Sequence, residues 1–391
     1  MKITGVQTRL YEATLPRALA DANYPTGSNT MGGLAVFLET DEGVMGGTLG
    51  NPGARPILHS LVERLLVGQD PRGVRGLWKR MVDDVFKGGN RGLVTAAIGD
   101  LDFALWDLKA KINDEPLWRT LGASVPKVKA YASGIDLNLT DEEIHTFYAG
   151  LAARGVNAGK LKVGLDEKMD LRRLGIMRDA LATSGKRPLL MIDSNEYWSP
   201  KQAIRRIRRM EQDFDLTWVE EPARRWDYRG LRQVSRAVSA AVATGENLHD
   251  PGDFLALIAN EAIDVVQVGQ GTTGITGAEM VAHTAYGFEL PVAMMNCAGN
   301  FMAHLAAALP NHSMMEVVQA GREVCFAVDT RIEDGYIVVG ETPGVGIMFD
   351  EDKLKALEVE RLSPGIKLAG WGRRRGAGLY EVPPSEPDEL E

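Results

Sequence analysis

From Pro126 to about residue 320 the sequence repeats one grammar: a short apolar run, a loop, then an amphipathic helical stretch. The runs are VKAYASG, AGKLKVG, PLLMIDSN, DLTWVEEP, AVATGENL, DVVQVGQG, LPVAMMNC and SMMEVVQA. Short apolar strands alternating with helices indicate a parallel sheet whose crossovers are helical. Eight such units are the number that closes a TIM-type (β/α) barrel, an α/β fold. The helices begin on recognisable caps. Thr140 has Glu143 three residues on, and Ser199-Pro200 and Asp250-Pro251 each set a polar N-cap before proline at the first helical position.

A chain of 391 residues exceeds what that barrel needs. Residues 1 to about 50 read as an antiparallel meander of KITGVQTRLYEA, GLAVFLETDEG and VMGGTLG, turning at Asp41-Glu42-Gly43. The period then changes to 3.6 over 56–66, 71–83 and 92–112, which makes residues 1–125 an α+β unit preceding a barrel over 126–320. Residues 321–391 contain strand-like DGYIVVGE and Gly/Pro-rich TPGVGIMFD. They are expected to pack back on the N-terminal unit, with the last dozen residues, ending SEPDELE, disordered.

Composition narrows the partners. Lys and Arg number 44 against 53 Asp and Glu, a net charge of −9 that argues against nucleic acid and anionic membranes and for small molecules. Cys297 and Cys325 are the only cysteines and lack CxxC spacing, so neither a disulfide framework nor a zinc site is expected. The opening MKITGVQTRLYEATLP mixes charges into its apolar positions, and no stretch reaches 18 uninterrupted apolar residues. A cytoplasmic protein with no membrane partner is expected.

Three acids end three successive barrel strands: Asp193 in LLMIDSN, Glu220 in TWVEEP and Glu246 in VATGEN. One strand-helix unit separates each from the next, so all three stand at one height on the barrel's C-terminal rim, where barrel active sites lie. A single acid at a strand end is ordinarily solvated or a helix cap. Three in register repel strongly unless a hard divalent cation such as Mg²⁺ holds them. Asn195 faces the same way and is a candidate for hydrogen bonding to a ligand carboxylate or substrate. Glu221 should point to the opposite side if its strand persists.

One unit upstream, Lys160 and Lys162 flank Leu161 in AGKLKVG. Period two puts both lysines on one face and sends Leu161 and Val163 into the layer between barrel and helices. Mutual repulsion and burial are both expected to lower their pKa values, toward the neutral amine that proton abstraction requires.

With KLK, IDSN, VEEP and TGEN in this order, preceded by AAIGDLDFALWDLKAK and followed by TPGVGI, the chain resembles the mandelate racemase subgroup of the enolase superfamily over essentially its whole length. The resemblance implies Mg²⁺ on Asp193, Glu220 and Glu246. It implies that Lys162 removes the proton α to a carboxylate, with Lys160 lowering its pKa or touching that carboxylate, chemistry the superfamily is known for. Glu316 in HSMMEV matches the position that hydrogen-bonds a substrate carboxylate oxygen. Residues 1–125 become a capping domain whose loops, roughly 18–32 and 47–55, close over a small-molecule carboxylate substrate, and a symmetric homo-oligomer is implied.

The pattern breaks on strands six and seven, where members of the family that racemise, and many that dehydrate, carry an Asp and a His. Gly269 stands at the Asp position and Asn296 at the His position, while Asp264 sits too early in its strand and reads as structural. Asn296 is then a substrate contact, not a base. His304 reads as a structural helix residue, and His249, three residues past Glu246, is the one histidine near the rim and a further candidate substrate contact. Racemisation needs a base on each face; β-elimination of water needs one. The expectation is therefore a Mg²⁺-dependent hydro-lyase that dehydrates an acid sugar to a 2-keto-3-deoxy acid. The alternatives are a one-base cycloisomerase or other lyase of a carboxylate or lactone, and a metal-binding barrel that has lost catalysis.

Overall fold

The computed structural model describes residues 1–366, so the disorder expected for the last dozen residues lies outside the described residues. β1 (Ile3–Asp21), β2 (Tyr24–Thr40) and β3 (Gly46–Gly50) form an antiparallel sheet. Leu34, Val36 and Leu38 alternate onto one buried face of β2, as period two requires. β1 and β2 pair from Ile3 opposite Thr40 to Asp21 opposite Tyr24. The stretch 18–32 is thus not a loop but the far end of a long hairpin, because main-chain pairing continues past the apolar part of the pattern.

α1 (Arg55–Leu61), α2 (Val74–Asp84), α3 (Leu93–Ile112) and α4 (Leu117–Thr120) follow. α3 is buried nearly all round from Ala97 to Leu108, Asp100, Asp102 and Asp107 included. Each aspartate is satisfied by a different neighbour. Asp100 accepts the Asn51 N–H at 2.8 Å, Asp102 accepts Thr276 N–H and Oγ1–H at 2.8 and 2.6 Å, and Asp107 accepts the N–H groups of Gly47 and Val345 at 2.7 and 2.8 Å. α3 is therefore the post to which cap sheet, barrel and C-terminal segment are all tied.

The barrel strands are β4 (Lys127–Ser133), β5 (Ala158–Lys162), β6 (Leu189–Asp193), β7 (Leu216–Glu220), β8 (Ala241–Thr244), β9 (Val265–Val268), β10 (Val292–Met294) and β11 (His312–Val317). All pair in parallel in chain order, and β11 returns to β4 with Glu316 opposite Tyr131, closing an eight-stranded barrel. The crossovers carry α5 (Asp141–Ala152), α6 (Glu167–Ala182), α7 (Pro200–Met210), α8 (Tyr228–Ser235), α9 (Pro251–Ala259), α10 (Gly274–Gly287) and α11 (Ala303–Ala308). α5, α7 and α9 open on full capping boxes at Thr140, Ser199 and Asp250. Inside, Tyr131, Met191, Trp218, Val265 and Met314 interdigitate with Ala158, Ala243 and Ala293. This alternation of large and small side chains plugs the barrel below the rim.

The C-terminal segment divides. β13 (Arg331–Glu333) and β14 (Tyr336–Val338) form a hairpin whose second strand pairs antiparallel with the first half of β4, Tyr336 opposite Lys129. That part extends the barrel sheet and does not return to the N-terminal unit as expected. β4 enters its parallel pairing with β11 only at Ala130, which leaves its first residues free to take this partner. β12 (Phe326–Val328) pairs with β15 (Ile347–Phe349), and Phe349 meets Phe37 of β2 with ring centroids 4.8 Å apart. After α12 (Glu351–Leu357), Arg9 of β1 binds Glu351 at 2.6 Å and Glu358 at 2.9 Å. Among the described residues no helix is long and apolar enough to cross a membrane.

Candidate active site

Register builds the site. Lys162 on β5 pairs with Asp193 on β6, and Asp193 with Glu220 on β7, so one lysine and two acids stand side by side at the strand ends. Glu246 follows two residues after β8, past Gly245 at φ 138, and Glu316 rises from β11. One carboxylate oxygen from each of Asp193, Glu220 and Glu246 lies within 4.8 Å of the other two, as a single cation would require. Gln267, inward on β9, donates to Glu220 Oε2 at 2.6 Å.

The lysines enter this cluster from beneath. Lys160 is fully buried and reaches Glu220 at 2.5 Å, Glu316 at 2.9 Å and Asp193 at 3.5 Å; Lys162 bonds Asp193 Oδ2. The expectation that both pKa values fall is not met in this geometry. Burial is the largest influence on each and pushes it down, and Lys160 also lowers Lys162, but the surrounding carboxylates outweigh both and raise the two amines. The same balance divides the acids. Burial pushes Glu316 up, yet Lys160 and Lys162 hold it at about 2, and Asp193 is lowered in the same way. Glu220 and Glu246 are raised, first by burial and then by the neighbouring carboxylates. Negative charge is in excess here even with two ammonium groups present, which is the electrostatic fit for a divalent cation on the three rim acids.

A cavity of about 730 Å³ opens above the cluster. Lys162, Asn195, Glu246, His249, Asn296 and Glu316 all line it, so it gathers most of the candidate residues. The cap contributes Leu19, Asp21, Asn23 and Asn51, and Asn23 Nδ2 donates to the Asn195 carbonyl at 2.7 Å. Asn195 presents its own amide to Glu246 at 3.5 Å and leaves Oδ1 buried without a partner. His249 is weakly held, with Nδ1 3.4 Å from the Gly271 carbonyl. Asn296 donates to Glu316 Oε2 at 2.5 Å and receives Arg322 Nη2 on Oδ1 at 2.7 Å. Asp264 accepts from Val242 N–H and Ser235, outside the cavity wall.

Glu221 requires a correction. It lines the same cavity instead of facing away, because β7 ends at Glu220 and Glu221 adopts φ 45, accepting Asn247 Nδ2 at 2.8 Å. Sequence reasoning also missed what holds Lys162 in place. Buried Asp136 accepts the Lys162 N–H at 3.0 Å, and buried Arg173 donates to the Lys162 carbonyl at 3.0 Å and the Asp136 carbonyl at 2.5 Å. A lone Arg in a helix carries no signal of such a role. Glu196, ion-paired to Arg225 at 2.6 Å, is a further unanticipated wall residue.

Fold and rim together define a capped (β/α)₈ barrel with an acidic, lysine-bearing C-terminal face. Residues 144–353 match the family model described as enolase C-terminal domain-like, and residues 26–122 match the mandelate racemase / muconate lactonizing enzyme N-terminal domain. The chain belongs to the mandelate racemase subgroup of the enolase superfamily. A 3,6-anhydro-α-L-galactonate cycloisomerase from Streptomyces coelicolor is 30% identical over 376 residues, covering 91% of this chain and 99% of that protein. An L-talarate/galactarate dehydratase from Salmonella typhimurium is 31% identical over 301 residues, 73% of this chain and 71% of that one. The crystal structure of L-talarate dehydratase from Polaromonas sp. JS666, complexed with Mg and L-glucarate, aligns with a TM-score of 0.82 at 30% identity, covering 92% of this chain and 98% of that one.

Proposed function

We propose that this chain is a Mg²⁺-dependent lyase that removes the proton α to the carboxylate of an acid sugar and expels the β-hydroxyl as water, giving a 2-keto-3-deoxy acid after tautomerisation. The observation that carries this reading is the one-sidedness of the site. Lys162 stands on β5, whereas β9 and β10, across the ring, present Gly269 and the amide of Asn296 where a second base would stand. Mg²⁺ held by Asp193, Glu220 and Glu246 supplies positive charge against the substrate carboxylate and against the negative charge that develops when the α-proton leaves.

The carboxylates that raise Lys162 are the ones a bound divalent cation would neutralise. Lys162, then the neutral amine, takes the proton from Cα; its ammonium delivers that proton to the departing hydroxyl on the same face, a syn elimination that returns Lys162 to its starting state. Asp136 and Arg173 fix the Lys162 backbone so that the amine meets Cα in one orientation. Glu316, held as a carboxylate, is an acceptor only, so its influence on the substrate carboxylate runs through the donors it orients, Lys160 and the Asn296 amide. Asn195, Asn296 and His249 bind substrate hydroxyls.

The full-length likeness to a cycloisomerase supports a second reading. The same proton removal followed by cleavage of a β-carbon–oxygen bond within a ring opens the ring with no water lost. Incubating mono- and diacid sugars and their anhydro or lactone forms with Mg²⁺ in D₂O, followed by NMR, separates the two. Open-chain acids giving a 2-keto acid, with α-exchange abolished in Lys162→Ala, is the expected result. Turnover of cyclic substrates alone would favour the cycloisomerase. Exchange that survives Lys162→Ala would remove Lys162 as the base.

A further inference from the structure

Three guanidinium groups line the cavity, those of Arg224, Arg225 and Arg322. Glu196 engages two of them, Arg225 at 2.6 Å and Arg224 at 3.9 Å. Arg322 differs. It lies on the segment after β11, half-buried, and Nη2 donates to Asn296 Oδ1 at 2.7 Å. Among the described residues it forms no ion pair with any carboxylate. Its partner there is a neutral amide, which leaves a cation without an ion pair in the cavity wall. The cluster acids are taken up by the two lysines and the candidate metal set, and Glu196 by Arg225, while Glu221 accepts from Asn247 and Asp21 from the Asn23 and Tyr24 N–H groups.

A guanidinium presents several N–H donors in a rigid plane that matches a carboxylate bidentately. Asn296 lies between Arg322 and Glu316, so this fork is set one side chain away from the lysine and carboxylate cluster, where the first substrate carboxylate is bound in the reading above. A single uncommitted cation balances the single charge of a carboxylate; a phosphate ester carries close to twice that charge at neutral pH. We propose that Arg322 receives a second, distal carboxylate of the substrate, and that the chain therefore binds dicarboxylic acid sugars in preference to monoacids of the same configuration. This rests on the acid-sugar reading and names its substrate class. Arg322 also fixes the Asn296 amide, so a merely positional role would affect both acids alike, and the two roles can be told apart.

Calorimetry on Lys162→Ala protein with Mg²⁺ measures affinity without turnover. The probes are matched pairs: galactarate with galactonate, glucarate with gluconate, and mannarate with mannonate. At least one pair should show the diacid bound about tenfold or more tightly, with Arg322→Gln bringing that ratio near unity while the monoacid changes less than about threefold. Arg322→Lys, which keeps the charge and loses the fork, should retain part of the preference. Absence of diacid preference in every pair, a preference that survives Arg322→Gln, or equal losses for both acids would each overturn the proposal. Should the preference and its loss be found while active protein makes no 2-keto acid from any probe, the dehydratase reading falls and the assignment of Arg322 stands.

Discussion

Glu221 lines the cavity above its sequence neighbour Glu220 only because the backbone turns left-handed at Glu221. Alternation would have separated them, and the signal that the strand stops was Pro222, which has no N–H to give a ladder. The three rim acids were legible because their one-unit spacing survives any uncertainty in loop geometry. The protonation of the lysines was not, since it depends on how many carboxylates surround them in space. Two predictions belong at this scale. Asp193→Asn and Glu220→Gln each remove a carboxylate oxygen from the candidate metal set, and Mg²⁺ affinity by calorimetry should fall by at least the 10- to 100-fold typical even of outer partners; unchanged affinity in both variants would detach the acids from the metal. Asn296 has no proton-accepting pKa near neutrality. Asn296→Ala should therefore raise KM while α-deuterium exchange continues, and neither it nor the wild type should accumulate the inverted epimer. An epimer seen by chiral chromatography would reveal a base on the β9–β10 side.

α3 shows what element-scale reading can and cannot reach. Its boundaries follow from helical spacing over 92–112, and the structure gives Leu93–Ile112. Its three aspartates are each buried against a different part of the molecule, information that resides in distant segments and not in the helical period. Close approach is written into its glycine. A Cβ at Gly99 would lie 2.9 Å from the backbone nitrogen of Gly274, at the start of α10, and Gly274 is itself at φ 77 with Asp102 against it. Neither backbone can give way freely. Gly99→Ala should cost about 1–3 kcal/mol, the range for overpacking. Gly175 in α6 has nothing nearer than Phe214 at 3.9 Å, so Gly175→Ala should stabilise by about 0.5–1 kcal/mol from helix propensity alone. Urea midpoints for the pair test the contrast, and two shifts of the same sign would contradict this account of α3.

At the scale of the whole molecule, barrel closure could be counted from the strands, but how the C-terminal segment locks cap to barrel could not. His304 on α11 is one such lock. Its Nδ1 accepts the Trp118 N–H of α4 at 3.1 Å, and its Nε2 lies 3.3 Å from the Val345 carbonyl. Cap helix, barrel helix and C-terminal segment thus meet at one imidazole, neutral and protonated on Nε2. Burial lowers its pKa from 6.5 to about 4, and protonating Nδ1 would also break the bond to Trp118. Below pH 6.5 the unfolded chain takes a proton that the folded chain refuses until about pH 4, so this contribution is complete above 6.5 and is lost as pH falls toward 4. Other buried groups act alongside. His312 is shifted the same way, whereas Asp100, Asp102 and Asp170, raised to about 7 by burial, lose stability as pH rises through 7. The His304 share is isolated by comparison with His304→Asn, which does not titrate. The variant should be less stable at pH 7.5, and the gap should narrow by about 2 kcal/mol by pH 5, from 1.36 kcal/mol per pKa unit over the 1.5 units below 6.5. Denaturant midpoints at the two pH values measure it; a gap that stays constant would mean that His304 accepts its proton in the folded state as readily as in the unfolded one.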